Sequence, residues 1–216
     1  EKSIRAAYAF LNAGYGTPVL VGREDRVLVK IEKLGLPTVE LIEIHNAKLS
    51  TETEGYMDFL YERLQRKGML RRDCQRTVNQ DRNVFAACMV AAGDADAMVT
   101  GLTRNYHVAL DEITRVLDPD PGSRVFGLSL VLGQDKTLFV SDTAVTELPN
   151  SEQLADIAQQ TAAVARQMGH EPRVALLSHA NFGYPEGARS DQINGAVAIL
   201  DSAERDFEYD GEMTPD

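Results

Sequence analysis

The chain is short of several things, and each shortage narrows what it can be. It holds only two cysteines, Cys74 and Cys88, with neither metal-ligand spacing nor a secreted context around them, so no disulfide framework or zinc knuckle organises the fold. Cys88 lies inside the apolar run Val84 to Ala92 and reads as a small core residue. No apolar run approaches the roughly 20 residues that span a bilayer, and the N-terminal residues show no apolar signal core, which gives an expectation of a cytoplasmic protein. Positive charge is scarce: 22 Lys and Arg against 33 Asp and Glu leave a formal charge of −11, which opposes encounter with nucleic acid or an anionic membrane surface. No strand-linked Gly-x-Gly-x-x-Gly loop is present and no group of carboxylates stands out as a divalent-metal site, so NADP and a metal are not expected within this chain. There are no repeats and no low-complexity linker.

What is present is an ordinary apolar fraction, 44%, in a chain of 216 residues, enough for a sizeable core at the border between one domain and two. The one dense basic cluster, Arg63, Arg66, Lys67, Arg71, Arg72 and Arg76, suits either a solvated helix face or a pocket for cofactor phosphates. Strand-like and helix-like runs alternate, the pattern of βα units around a mainly parallel sheet, and so the fold class is α/β. Helices are expected over 3–13, 27–34, 54–66, 82–92, 106–117, 151–168 and 190–203. Strands are expected over 18–22, 39–44, 97–99, 125–132, 138–140, 174–178 and 206–210, with 125–140 forming an antiparallel hairpin that joins the sheet. The helix after Asn150 has capping chemistry and places Leu154, Ile157, Ala158, Thr161, Val164 and Met168 at helical spacing. Asp118-Pro-Asp-Pro-Gly122 is the clearest internal punctuation, so a switch of subdomain is placed near 118–124. Glu1 enters a helix without a cap and residues 213–216 resemble an opening helical turn, which gives the expectation of an excerpt truncated at both ends.

Two places carry chemistry. After Ala97 to Val99, Gly101 permits a sharp turn where Thr100, Thr103, Arg104 and Asn105 gather hydroxyl, guanidinium and amide groups, a set suited to an anionic or acyl-carrying small molecule. After Val174 to Leu177, Ser178, Asn181 and Gly183 repeat the arrangement. Capping or turn geometry explains Asn105 and Asn181 equally well. Ser178 and His179 are a poor nucleophile and base, because neighbours on a strand point to opposite faces; no catalytic residue and no metal ligand are assigned.

The residues Pro18-Val-Leu-Val-Gly22, Arg66-Lys-Gly-Met69, Asp96-Ala-Met-Val-Thr-Gly101, Asp142-Thr-Ala-Val145, Glu152-Gln-Leu-Ala155, Val174-Ala-Leu-Leu-Ser178 and Asp210-Gly-Glu-Met213 together resemble the phosphate acetyl/butyryl transferase family. Gly101-Leu-Thr-Arg-Asn-Tyr106, Arg124-Val-Phe-Gly-Leu-Ser-Leu130 and Asp206-Phe-Glu-Tyr209 resemble the branch of it found at the C-terminus of large NADP-dependent malic enzymes. The resemblance covers nearly the whole of residues 1–216. It implies a phosphotransacetylase-like fold related to isocitrate and isopropylmalate dehydrogenases, with two α/β subdomains around a cleft and a C-terminal segment outside this chain. It implies transfer of an acetyl group between acetyl phosphate and coenzyme A in active members, using arginines to hold phosphate.

This chain departs from that pattern. By alignment, Leu64 and Asp111 stand where active members carry arginines, and the Ser-x-Ser-Thr-x-Gly-Ser loop has become Ser178-His-Ala-Asn-Phe-Gly-Tyr184. The expectation is therefore a regulatory, oligomerising module that responds to acetyl-CoA and has malic-enzyme domains as partners in the same polypeptide, where NADP and a divalent metal would bind. Thr100, Gly101, Arg104, Asn105, Ser178, Asn181 and Gly183 are the candidates for the acetyl-CoA site, with Arg66 and Lys67 for its phosphates. An active transferase and a purely structural dimerisation module are the alternatives.

Overall fold

Each strand among the described residues pairs with one other strand, and helices supply most of the core. The computed structural model describes the chain apart from residues 38–40, 135, 183, 185, 203 and 216. The chain divides into two units, Glu1–Asp118 and Pro119–Asp216.

Unit 1 runs α1 (Lys2–Asn12), β1 (Val19–Val21), α2 (Glu24–Lys33), β2 (Glu43–His45), α3 (Thr53–Leu64), a 3-10 turn (Gln65–Lys67), α4 (Arg71–Gln80), α5 (Arg82–Ala92) and α6 (Tyr106–Thr114). β1 and β2 are parallel, Leu20 opposite Ile44, as a crossover through α2 requires. The sequence of α5 is apolar nearly all round, and a helix of that kind belongs inside. Val84, Phe85 and Ala87 are fully buried, packed with Leu60, Leu64, Cys74 and Val78 from α3 and α4. Phe85 meets Tyr56 edge-on with ring centroids 5.3 Å apart. Burial pushes the Cys88 thiol up to about 12, which makes it an inert core group. A second cluster, Ile4 and Tyr8 of α1, Ile31 of α2 and Ile42 just before β2, packs against Leu20 of β1.

Unit 2 runs β3 (Leu128–Leu132), β4 (Thr137–Ser141), α7 (Ser151–Gln167), β5 (Arg173–Leu177), α8 (Ala188–Asp201) and β6 (Glu208–Met213). α7 begins with a reciprocal capping box: the Gln153 backbone N–H donates to Asn150 Oδ1 and the Asn150 N–H to Gln153 Oε1, both at 2.9 Å. Ala155, Ala158, Leu176, Ile193, Ala196 and Leu200 form the core between α7, α8 and the parallel pair β5–β6. At Gly195 the helices approach so closely that a Cβ would lie 2.5 Å from Ser151 Oγ.

The α/β class is as expected, with differences in how it is assembled. Among the described residues the strands form three two-stranded sheets in place of one mainly parallel sheet, and the β3–β4 hairpin is a sheet of its own. Residues 97–99 are not a buried strand: among the described residues they pair with nothing, and Val99 is 99% exposed. An apolar run becomes a strand only when a partner takes its backbone hydrogen bonds. Met168 is 52% exposed because the buried stripe of α7 runs through Ala155, Ile157, Ala158, Thr161, Ala162 and Ala165 instead. The segment expected to start a strand at Val125 pairs only from Leu128, α2 starts at Glu24, and the last strand reaches Met213. α4 has no counterpart among the expected helices; its inward stripe is only Cys74 and Val78, one turn apart in a charged segment. Of the expected strand 39–44, Val39 and Glu40 lie outside the described residues.

Candidate functional site

In unit 1 the candidate residues gather where the chain leaves α5 for α6. Gly101 has φ 124°, a conformation side chains disfavour, and the turn it makes brings Thr100 and Arg104 toward the start of α5. Asp81 caps that helix, its Oδ1 accepting from the N–H groups of Asn83 at 2.9 Å and Val84 at 3.3 Å. Asn83 and Glu112 are buried polar residues, and a polar group out of water needs partners. Thr100 Oγ1 donates to Asn83 Oδ1 at 2.6 Å and Asn83 Nδ2 donates to Glu112 Oε2 at 2.7 Å. The Arg104 guanidinium completes the set, with Nη1 2.9 Å from Glu112 Oε1 and Nη2 3.3 Å from Asp81 Oδ2. Burial pushes the Glu112 carboxyl up, and its hydrogen bond and repulsion with Asp81 add to this against the pull of Asn83 and Arg104.

The other unit 1 candidates lie elsewhere on the surface or in other roles. Asn105 is the N-cap of α6, its Oδ1 accepting from the His107 N–H at 3.1 Å. Arg66 and Lys67 sit exposed in the 3-10 turn. Arg63 is held by Asp118 through both Nη atoms at 2.5 Å and donates from Nε to the Arg115 carbonyl at 2.8 Å. Leu64 is buried in the core cluster of α3, α4 and α5, while Asp111 is exposed on α6.

In unit 2 the exit from β5 is built on hydroxyls. Ser178 and Ser190 both donate to Glu212, a fully buried carboxylate on β6, one to each oxygen. Ser178 Oγ also accepts from the Ala180 N–H at 2.9 Å, and the Phe182 N–H donates to the Glu212 carbonyl at 2.8 Å. Asn181 Oδ1 accepts from the Thr214 N–H at 2.8 Å. Gly211 lets β6 run against β5, since a Cβ there would lie 2.7 Å from Leu176 Cβ and 2.8 Å from its carbonyl oxygen. Gly183 lies outside the described residues.

Sequence reasoning thus missed Asp81, Asn83, Glu112, Ser190 and Glu212. Asp81 carried a signal, since it immediately precedes the helix at Arg82. A groove of about 470 Å³ in unit 2, lined by residues such as Arg166, Arg205 and Phe207, contains none of the candidate residues. It is open and Arg166 is tied to Asp206 at 2.5 Å, so the buried polar networks are the better guide to function. No group able to hold a metal ion occurs among the described residues. Among the same residues, no helix is long and apolar enough to cross a membrane.

Helices over short parallel strand pairs, with polar residues at glycine-bearing strand and helix exits, define an α/β protein of the phosphotransacetylase fold. The structure is similar to the EutD phosphotransacetylase from Staphylococcus aureus and to a phosphotransacetylase from Streptococcus pyogenes, with TM-scores of 0.84 and 0.86. Each is 24% identical and matches 98% of this chain and 64% of that one. The chain belongs to the phosphate acetyl/butaryl transferase family, whose profile matches residues 1–216. It is 52% identical over 214 residues to the NADP-dependent malic enzyme of Rhizobium meliloti, spanning 99% of this chain and 28% of that protein. It is 30% identical over 224 residues to the phosphate acetyltransferase of Clostridium acetobutylicum, 67% of whose length it covers. The chain therefore spans less than a third of the malic enzyme it matches.

Proposed function

We propose that this chain is the acetyl-CoA-responsive, oligomerising part of a cytoplasmic NADP-dependent malic enzyme, and that it binds the acyl-CoA without turning it over. The observation that carries this reading is the state of the cations. A transferase needs free guanidinium groups to hold a phosphate and to stabilise charge as a thiol attacks the carbonyl. Here Arg104 lies between two carboxylates, Leu64 is in the apolar core and Asp111 offers an anion to solvent. The polar groups that remain, Thr100 and the exposed Arg66 and Lys67 in unit 1 and, separately, the Ser178 loop in unit 2, suit recognition better than turnover. The 52% identity to a malic enzyme supports the same reading, and NADP, a divalent metal and malate oxidation would belong to the remainder of such a protein.

Regulation requires that acetyl-CoA bind one arrangement of the assembly more tightly than another, since equal affinity shifts nothing. Titrating acetyl-CoA into the complete polypeptide while following melting temperature and malate oxidation tests this. A rise in melting temperature with a fall in oxidation is the expected result. No thermal shift would reject binding and leave the purely structural, dimerising reading.

The alternative, a working phosphate acetyltransferase, draws on the 30% identity to the Clostridium acetobutylicum enzyme. Appreciable acetyl-CoA formation from acetyl phosphate and coenzyme A would establish it.

A further inference from the structure

We infer that Glu112 and Asp81 form a latch that sets how available Arg104 is to a phosphate-bearing ligand, so that the affinity of the 100–105 turn for an anion is determined by carboxylates that never touch it. The inference rests on the reading that this turn receives the acyl-CoA.

Arginine recognises phosphate through paired N–H groups, and in this structure both terminal nitrogens of Arg104 face carboxylates. The carboxylates are well buried, with side-chain exposures of 6% for Glu112 and 16% for Asp81, while Arg104 is 45% exposed. The anions are therefore fixed and the cation is the partner that can move. Glu112 is fixed by Asn83, which is itself held by Thr100, and Asp81 is fixed by its two cap hydrogen bonds to α5. One cation against two carboxylates leaves the cluster with a formal charge of −1. A phosphate approaching Thr100 thus meets repulsion until Arg104 turns toward it. Glu112 and Asp81 act through Arg104 and are positioning residues.

The test uses two variants of the complete polypeptide that preserve the local bonding. Glu112→Gln keeps an acceptor for Asn83, and Asp81→Asn keeps a good helix cap. Arg104 reactivity toward the arginine-selective reagent phenylglyoxal is measured by peptide mass spectrometry, and acetyl-CoA affinity by calorimetry. Releasing one arm of a half-exposed ion pair should raise Arg104 labelling about two- to fivefold and tighten acetyl-CoA binding by a similar factor. If the folded variants label at the wild-type rate, the latch is overturned. It is overturned equally if labelling rises while acetyl-CoA binds wild type and variant alike. Faster labelling with no acetyl-CoA binding to any form keeps the latch and removes the acyl-CoA reading instead. Should Glu112→Gln fail to fold, Asp81→Asn gives the same readout from the other arm.

Discussion

The two polar exits are held by opposite means. In unit 1 the turn at 100–105 is tied by charge: Arg104, half in water, bridges Asp81 and Glu112, and the buried carboxylate must compete with its neighbour for one cation. In unit 2 the described ties of the loop after β5 are hydroxyl donors, with Ser178 and Ser190 sharing the fully buried Glu212. A half-exposed cation can be drawn away by a ligand of the right charge, whereas a buried carboxylate holding two hydroxyls has no solvent route to exchange its partners. Unit 1 is the exit suited to respond and unit 2 the exit suited to hold shape.

The largest expected effect would break this contrast if it failed. Glu212→Ala removes the acceptor of two hydroxyls and leaves a hole beneath β6, and should destabilise by about 3–5 kcal/mol in urea unfolding. Glu112→Ala should cost less, since Arg104 can turn to water and only Asn83 is left wanting a partner. If Glu112→Ala proved the more damaging, the charged exit would be the rigid one. Gly211→Ala, which forces a Cβ against the Leu176 backbone, should cost about 1–3 kcal/mol and act on the same strand.

Much of this was legible from sequence because it is local. α5 announces itself through its apolar run and closing Gly93, α7 through its Asn150 cap, apolar spacing and closing Gly169, and both sit where expected. The antiparallel hairpin and the parallel pairing of β5 with β6 follow from loop lengths and an intervening helix. The residues that organise the exits were hidden because they meet across distance: Glu112 joins Asn83 from 29 positions away, and Glu212 joins Ser178 and Ser190 from 34 and 22. No periodicity encodes such a meeting. The strand expected at 97–99 failed for the converse reason, as its apolar run was local and no partner for it occurs among the described residues.

Acid titration sharpens the contrast through signs. Glu112 has its carboxyl pushed up, so the native state takes up its proton sooner than the unfolded chain, and stability from this group is gained as pH falls through its raised value toward the ordinary glutamate range. Asp142 in unit 2 behaves oppositely. Burial would raise it, but the N–H groups of Val145, Ala144, Gly127 and Thr146 converge on its carboxylate and together hold it below the usual range. Its contribution is present above the unfolded aspartate value and lost as pH falls through the depressed one. Urea midpoints against pH should show wild type gaining on Glu112→Gln with acidification and losing against Asp142→Asn, the second change lying at lower pH. Matching slopes of one sign would show that the two carboxylates share one environment type after all.

The smallest effect separates cap from ligand contact at Asn105. Its Oδ1 accepts the His107 N–H, and Asn105→Ala should cost about 1 kcal/mol, whereas Asn105→Asp keeps the cap. The aspartate also adds a negative charge beside Arg104. If Asn105 serves only the helix, Asn105→Asp should restore stability and leave Arg104 labelling by phenylglyoxal close to wild type. If the turn receives a phosphate-bearing ligand, the same variant should weaken acetyl-CoA binding while remaining fully folded, because stability then reports the cap and affinity reports the charge. Asn150→Ala at the capping box of α7 provides the control, losing a comparable amount of stability with no effect on affinity.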